Sequence, residues 1–420
     1  MERFVRRLSQ CECKLRLNWR DSSVDVNSRA DTDAVVYIEK VEVLSEETEV
    51  ETSKSQRLLS LHLETSLIEQ VQGVPTATIN PGIRFHDFAS RFDPGDRSHE
   101  ANVFRLGVAL FDEIDVQLPE GSSEELIERI SSIRRKLALS RWLEDAVAPL
   151  VDSDLITRSE DQPGKIFSLL SGHQVEHAVE SALEAGNMRL ATLLSQAGGE
   201  ESFKDELLKQ LEDWQAYKVN PLIAVGYRKL YALLAGITDI SAGDPSRGSD
   251  GCPDVLIAEG LDWKRAFGLH LWYGIPFENT IRDVVDSYTF SLSSSHPPAK
   301  PLPPYLEKSS DNIRSWNLPT EPTDVLYNLL QLYSDDAISL DQVLRSRDTS
   351  PSPFDVRLAW HLYVLLSRVL RRRDFEDRDE SSGYSANADR LTAAYAAQLE
   401  EIGEWKWAAF VLLHLETVDG

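Results

Sequence analysis

From about residue 100 onward, apolar residues recur at the spacing of one helix face, in short runs broken by glycine, proline or polar stretches. Val103, Leu106, Leu110 and Phe111 share a face. A longer helix should follow. Ser122 or Ser123 can cap it, and Glu124, Glu125 and Glu128 suit the positive end of its dipole. Leu126, Ile130, Ile133, Leu137 and Trp142 supply its apolar stripe, and Pro149 is expected to stop it. Val175, Ala178, Val179, Ala182 and Leu183 form the next stripe, ended by Gly186. Leu190, Leu193 and Leu194 begin another, ended by Gly198-Gly199. Phe203, Leu207, Leu208, Leu211 and Trp214 give a third, and Pro221 opens a fourth through Leu222, Val225, Leu230 and Leu233-Leu234.

Residues 239–253 read as a polar loop. Helical spacing returns at Leu261, Ala266, Leu269 and Trp272, and again at Ile281, Val284, Val285 and Tyr288. Residues 291–304 read as a Ser/Pro linker. Further helices are expected near 323–333, 337–346, 354–371, 387–402 and 404–416, with residues 374–385 as a charged, mobile loop. Roughly a dozen helices with short connections and no fixed repeat predict a mainly α fold, an irregular α-solenoid of antiparallel helix pairs.

The first 52 residues follow a different period. Lys14-Leu15-Arg16-Leu17-Asn18-Trp19 alternates polar and apolar, and Val35-Val36-Tyr37-Ile38 and Val41-Glu42-Val43 are rich in β-branched residues. Two or three strands are marginal alone, and nothing later in the chain supplies a sheet for them. They point to a partner.

Composition narrows the function. With 44 Lys and Arg against 69 Asp and Glu, the formal net charge of the 420-residue chain is -25. Such a field repels phosphate and anionic membrane surfaces, so no direct nucleic-acid contact and no membrane insertion are expected. Three cysteines (Cys11, Cys13, Cys252) are too few for a disulfide framework, and no apolar run reaches membrane-spanning length. The expectation is a soluble intracellular protein.

Catalytic patterns are thin. His173-Gln174-Val175-Glu176-His177 matches H-x-x-E-H, the inverted zinc-peptidase pattern, with Glu176 placed as base. Gly172 just before it and the lack of a marked third ligand favour a polar helix face instead. Cys11-Glu12-Cys13 lacks the second pair of thiolates that a structural metal needs. No G-x-G-x-x-G, Walker A or G-x-S-x-G sequence occurs. Arg371-Arg372-Arg373 reads as cations at a helix end rather than an import signal. The tryptophans, among them Trp142, Trp214, Trp263, Trp272, Trp405 and Trp407, read as core, with one or two available as interface anchors. No catalytic residue, metal or cofactor is therefore assigned.

Four stretches carry a family resemblance. The first is Leu169-Leu170-Ser171-Gly172-His173-Gln174-Val175 with Ala178, Ala182, Ala185-Gly186-Asn187 and Leu190-Ala191-Thr192-Leu193-Leu194-Ser195-Gln196. The second is Gln210-Leu211-Glu212-Asp213-Trp214. The third is Gln398-Leu399-Glu400, then Gly403, then Trp405-Lys406-Trp407-Ala408-Ala409-Phe410-Val411-Leu412-Leu413-His414-Leu415. The fourth is Phe85-His86-Asp87-Phe88-Ala89 with Phe104-Arg105-Leu106-Gly107-Val108-Ala109-Leu110-Phe111. Over roughly residues 35–416 the chain resembles the nucleoporin ninety-six family, scaffold nucleoporins of the Y-shaped coat of the nuclear pore complex.

The resemblance implies a J-shaped helical stack, shared with vesicle-coat cage proteins. In it, residues 100–150 and 305–416 form a trunk, 160–290 a crown, and 1–52 a strand-donating arm. It implies that the arm completes an open β-propeller of the Sec-thirteen type, with Trp19, Val36, Ile38 and Val41 as contacts. It also implies that the crown, over residues 165–235, meets a neighbouring scaffold nucleoporin through Val179, Leu183, Leu190 and Leu194. The residues alone leave those leucines open between crown core and crown interface. Only Trp19 and the Val35–Val43 run mark the donated blade, where the family has clearer glycine-aromatic strands. The family also carries a C-terminal tail module reaching the hub of the Y; hub binding is not expected of this chain. No Phe-Gly repeats occur, which argues against a permeability-barrier nucleoporin. The rival expectations are a vesicle-coat cage protein, which would need its own propeller, and a zinc hydrolase.

Overall fold

The helical spacing produces a mainly helical chain. A computed structural model describes residues 14–16, 37–39, 46–71, 73–116, 121–158, 160–244, 251–307, 322–352, 354–379 and 383–416. The chain divides into two units, residues 1–60 and 61–420. In the first, β1 (Lys14–Arg16) pairs antiparallel with β2 (Tyr37–Glu39), Leu15 opposite Ile38. Helix α1 (Glu46–Thr65) spans the boundary and runs into a hairpin of β3 (Ser66–Val71) and β4 (Val74–Ile79).

The helices of the second unit follow in order. They are α2 (Phe85–Ala89), α3 (His99–Phe111), α4 (Glu124–Thr157), α5 (Gln162–Ser171), α6 (Val175–Glu184), α7 (Met188–Leu194), α8 (Glu201–Ala216) and α9 (Val225–Leu234). A two-residue ladder of β5 (Ile240–Ser241) and β6 (Val255–Leu256) closes the polar loop. Then come α10 (Trp263–Leu269) with a π-helical turn at His270–Gly274, α11 (Ile281–Leu292), α12 (Pro304–Glu307), α13 (Val325–Ser334), α14 (Leu340–Val343) and α15 (Ser346–Thr349). The last are α16 (Arg357–Tyr363) with a π turn at Val364–Val369, α17 (Ala386–Glu401) and α18 (Trp405–Leu412). Sequence neighbours pack together, as in α2 on α3, α5 on α6, α6 on α7 and α17 on α18; α9 returns to α5, and α13 packs on α3 and α11.

The Phe85–Ala89 and Phe104–Phe111 stretches owe their pattern to one junction. Phe88 stacks on Phe104 and Phe85 on Phe111, all buried. Asp112 accepts hydrogen bonds from the backbone N–H groups of Phe85 (3.0 Å) and His86 (2.8 Å), capping α2 from the far end of α3. Burial pushes the Asp112 carboxyl up even though those two donors pull it down. A Cβ at Gly107 would lie 2.0 Å from the Phe85 ring, so only glycine lets the ring sit there.

Four expectations need correction. Pro149 does not stop α4, which continues to Thr157. A proline at 149 cannot donate to the Asp145 carbonyl, one turn back. Arg97 Nη1 donates to that carbonyl instead, at 2.7 Å, so the gap in the ladder is filled. The buried stripe of α4 is Leu139, Trp142, Leu143, Val147 and Val151, while Leu126 and Leu137 are exposed. Pro221 does not open α9; it sits in a separate 3-10 turn, Asn220–Leu222. The described residues of the charged loop, 374–379 and 383–385, make fixed contacts. Arg378 bridges Asp374 and Glu416, and Glu416 accepts the Ser385 N–H.

Beside the same Phe88 junction three histidines are buried among aromatic rings; the His62 ring lies 4.9 Å from that of Phe88. His62 Nε2 lies 3.0 Å from His361 Nδ1, the two rings parallel, and His414 meets Trp360 edge-on. His62 Nδ1, His361 Nε2 and His414 Nε2 have no hydrogen-bond partner among the described residues. Burial, with His414 beside it, lowers His62 to about 3. Burial, with His62 and Arg357 nearby, holds His361 well below the ordinary range. Burial lowers His414 to about 4; Arg368 adds to this, against two backbone hydrogen bonds that oppose it.

Two predictions follow from these contacts. Gly107→Ala should cost about 1–3 kcal/mol through overpacking, read as a lower urea midpoint. The three histidines must be neutral in the folded state, whereas the unfolded chain protonates them below about pH 6.5. Their stabilisation is thus complete above pH 6.5 and is lost as pH falls, by about 1.4 kcal/mol per histidine per unit until the folded pKa is reached. Asp324, which burial raises to about 6, opposes this with a single proton. Urea midpoints should fall between pH 7.5 and 5.5; equal midpoints would mean that these imidazoles are not buried as neutral groups.

Candidate protein-interaction site

Helices α5, α6, α7 and α9 form a small module whose turns are set by backbone chemistry. Gly186 has φ of +75°, which ends α6, and the Asn187 side chain then caps α7 by accepting the Leu190 N–H at 3.1 Å. Gln162 Nε2 donates to the Ser181 carbonyl (2.6 Å) and Oγ (3.0 Å), tying the start of α5 to the end of α6. A Cβ at Gly226 would lie 2.8 Å from Pro163, so α9 begins against the same end of α5.

That end carries apolar side chains in solvent. Leu183 at the end of α6 is 43% exposed, Met188 at the start of α7 66%, and Leu222 just before α9 85%. Val225 and Ile156, on the neighbouring termini of α9 and α4, are exposed as well. Several exposed apolar residues grouped at one end of a module mark an interaction surface, whereas the same residues scattered singly would mean little.

Of the four residues expected at the crown surface, Leu190 and Leu194 are buried and fill the core between helices. Leu183 is exposed and Val179 half-buried. Met188 was not singled out from the sequence, and Leu222 and Val225, read there as part of an apolar stripe, are exposed because Leu222 lies in the separate 3-10 turn and Val225 at the first position of α9. Of the four expected propeller contacts, Ile38 lies in β2 opposite Leu15. Trp19, Val36 and Val41 lie outside the described residues.

The H-x-x-E-H pattern does not assemble. His173 has φ of +59° and precedes α6. Its ring lies parallel to Trp272 at 5.0 Å, and its Nδ1 contacts Glu144 at 2.7 Å. Burial raises the Glu144 carboxyl, but hydrogen bonds from His173 and Ser140 outweigh this and hold it below the usual value. His177 is exposed and pairs with Glu180. Among the described residues no group of three His, Cys, Asp or Glu is arranged to hold a metal ion. No helix among them is long and apolar enough to cross a membrane. The basic run does sit at a helix end: Arg372 N–H donates to the Leu366 carbonyl, and Arg373 reaches the carbonyls of Leu332 and Asp335.

This module opens the part of the chain that matches a known family. The model described as Nuclear protein 96 covers residues 164–420. The chain belongs to the nuclear protein 96 family. It is 31% identical over 329 residues, 76% of its length, to the fission yeast (Schizosaccharomyces pombe) protein nucleoporin nup189. It is 29% identical over 302 residues (70%) to the Arabidopsis thaliana nuclear pore complex protein NUP96. It is 30% identical over 286 residues (67%) to the Drosophila melanogaster nuclear pore complex protein Nup98-Nup96. The chain spans 18%, 26% and 13% of the lengths of these three relatives. These relatives are named as nucleoporins and nuclear pore complex proteins, and this chain is a nucleoporin of their family.

Substitutions separate core from surface in the module. Leu190→Ala should cost about 2–5 kcal/mol. Leu183→Ala and Leu222→Ala should stay within about 0.5 kcal/mol of the parent. Urea unfolding of the three variants checks this; comparable losses at all three would place Leu183 and Leu222 in the core.

Proposed function

We propose that this nucleoporin is a scaffold subunit of the Y-shaped coat of the nuclear pore, acting through two protein contacts and supporting pore assembly and nucleocytoplasmic transport. Its fold in this reading is the J-shaped solenoid, with a crown at 160–290 and a trunk at 100–150 and 305–416. The crown contact carries the reading: the apolar end formed by Leu183, Met188, Leu222 and Val225 docks on a neighbouring scaffold nucleoporin. Such a contact has the anatomy of a stable interface, a few apolar anchors inside a charged surround, and the acidic field of the rest sets orientation more than affinity. Leu190 and Leu194 support it from beneath by fixing α7.

The second contact is donation of the N-terminal strands to a β-propeller of the Sec-thirteen type. The antiparallel β1–β2 pair supports strand-forming character there. Two isolated strands gain stability by joining a larger sheet.

Co-expression with each partner, followed by size-exclusion chromatography and light scattering, tests both contacts. Met188→Glu with Leu222→Glu should release the neighbouring nucleoporin, a loss of about thirtyfold or more in affinity, and leave the propeller bound. Val36→Asp with Ile38→Asp and Val41→Asp should do the reverse. Wild-type binding by the first pair would move the crown contact off this end of the module. Wild-type binding by the triple variant would remove the donated strand.

A further inference from the structure

The two edges of the β3–β4 hairpin are protected very unequally. The Ala77 N–H donates to the Leu413 carbonyl at 2.8 Å, so it points away from β3. In an antiparallel pair, outward and inward groups alternate, and Ile68 stands opposite Ala77. Ser66, Ile68 and Gln70 on β3, and Pro75, Ala77 and Ile79 on β4, therefore carry the outward backbone groups. The β4 edge is partly covered: Pro75 has no N–H, and that of Ala77 is taken by Leu413. On β3 the outward N–H and carbonyl of Ile68 and Gln70 have no partner among the described residues.

Edges of this kind are ordinarily blunted by proline, lysine, a bulge or a covering element. β3 reads Ser-Leu-Ile-Glu-Gln-Val, with none of these, and its residues from Leu67 to Val71 are all exposed. Leu67 and Val71 project from one face and Ile68 from the other, so an added strand would find apolar contacts on both. Glu69, between Leu67 and Val71, is the one charge in the strand and has no ion-pair partner among the described residues.

We propose that β3 is a docking strand for an extended segment of another protein, one that alternates apolar side chains with lysine or arginine. Main-chain hydrogen bonds to Ile68 and Gln70 hold it, and a cation opposite Glu69 sets its register. Charge decides against a second copy as occupant. Self-pairing would centre on Ile68 and bring together two chains of net charge -25 each. The role is opposite to that of the N-terminal strands: there the chain gives strands, and here it receives one.

The test is fluorescence anisotropy of a labelled, capped octapeptide of alternating valine and lysine, titrated with the full chain at about 0.15 M salt. Two controls separate strand pairing from charge attraction. One is the same peptide N-methylated on alternate residues, which keeps its charge but cannot pair. The other is Ile68→Pro, which removes an outward N–H and spares the β3–β4 ladder. The plain peptide should bind the wild-type chain, and each control should weaken it at least about tenfold. Glu69→Lys should favour a valine–glutamate peptide instead. No binding up to about 1 mM overturns the proposal, as does equal binding of the N-methylated peptide, a result that does not depend on any variant folding. A dimer in light scattering that Ile68→Pro converts to monomer would also overturn it, in favour of self-pairing.

Discussion

Trp272 meets three stretches of chain that lie far from it in sequence. Its Nε1 donates to Ser140 Oγ on α4 at 2.8 Å, and its face carries the His173 ring from the turn between α5 and α6. Its carbonyl lies against Gly198, where a Cβ would come within 2.8 Å. Its six-membered ring fills the space a side chain at Gly268 would need. The next residue, Tyr273, donates its hydroxyl to the Leu170 carbonyl at 2.9 Å. The module of α5, α6, α7 and α9 is thus referenced to the long helix α4 through Trp272 and Tyr273. Buried aromatics with satisfied polar tips fix orientation as well as supplying apolar area.

The same junction absorbs the residue that looked most catalytic. His173 has the letters of a zinc ligand, yet its left-handed backbone places it outside α6 and its ring serves as packing. A sequence motif fixes residue types, and chemistry depends on where those types converge. Glu144 completes the arrangement, as a carboxylate held low by the imidazole and the Ser140 hydroxyl against the pull of burial.

Helix positions were legible from spacing and end signals, as at Ser123 and Gly186, because those signals are local. Which residues of a stripe face outward was less so. Leu183, Leu190 and Leu194 are identical side chains at comparable spacing, and one of them reaches solvent. The difference lies in what packs beside each helix, which periodicity does not encode. The loop at 374–385 was misread for a related reason. Its charges look solvated in sequence, but Arg378 and Glu416, 38 residues apart, close on one another. Leu222 was read into the stripe of the helix that follows, but it lies in the preceding 3-10 turn and faces solvent.

Pro149 and Arg97 bear on how such a chain can change over time. Nearly fifty residues separate Arg97 from the carbonyl that the proline leaves unserved. An arginine at 97 beside an ordinary helix would have no free carbonyl to serve, while a proline at 149 leaves one within a helix of 34 residues. The two positions are epistatic. Replacing Arg97 should therefore cost more with Pro149 in place than with an ordinary residue there.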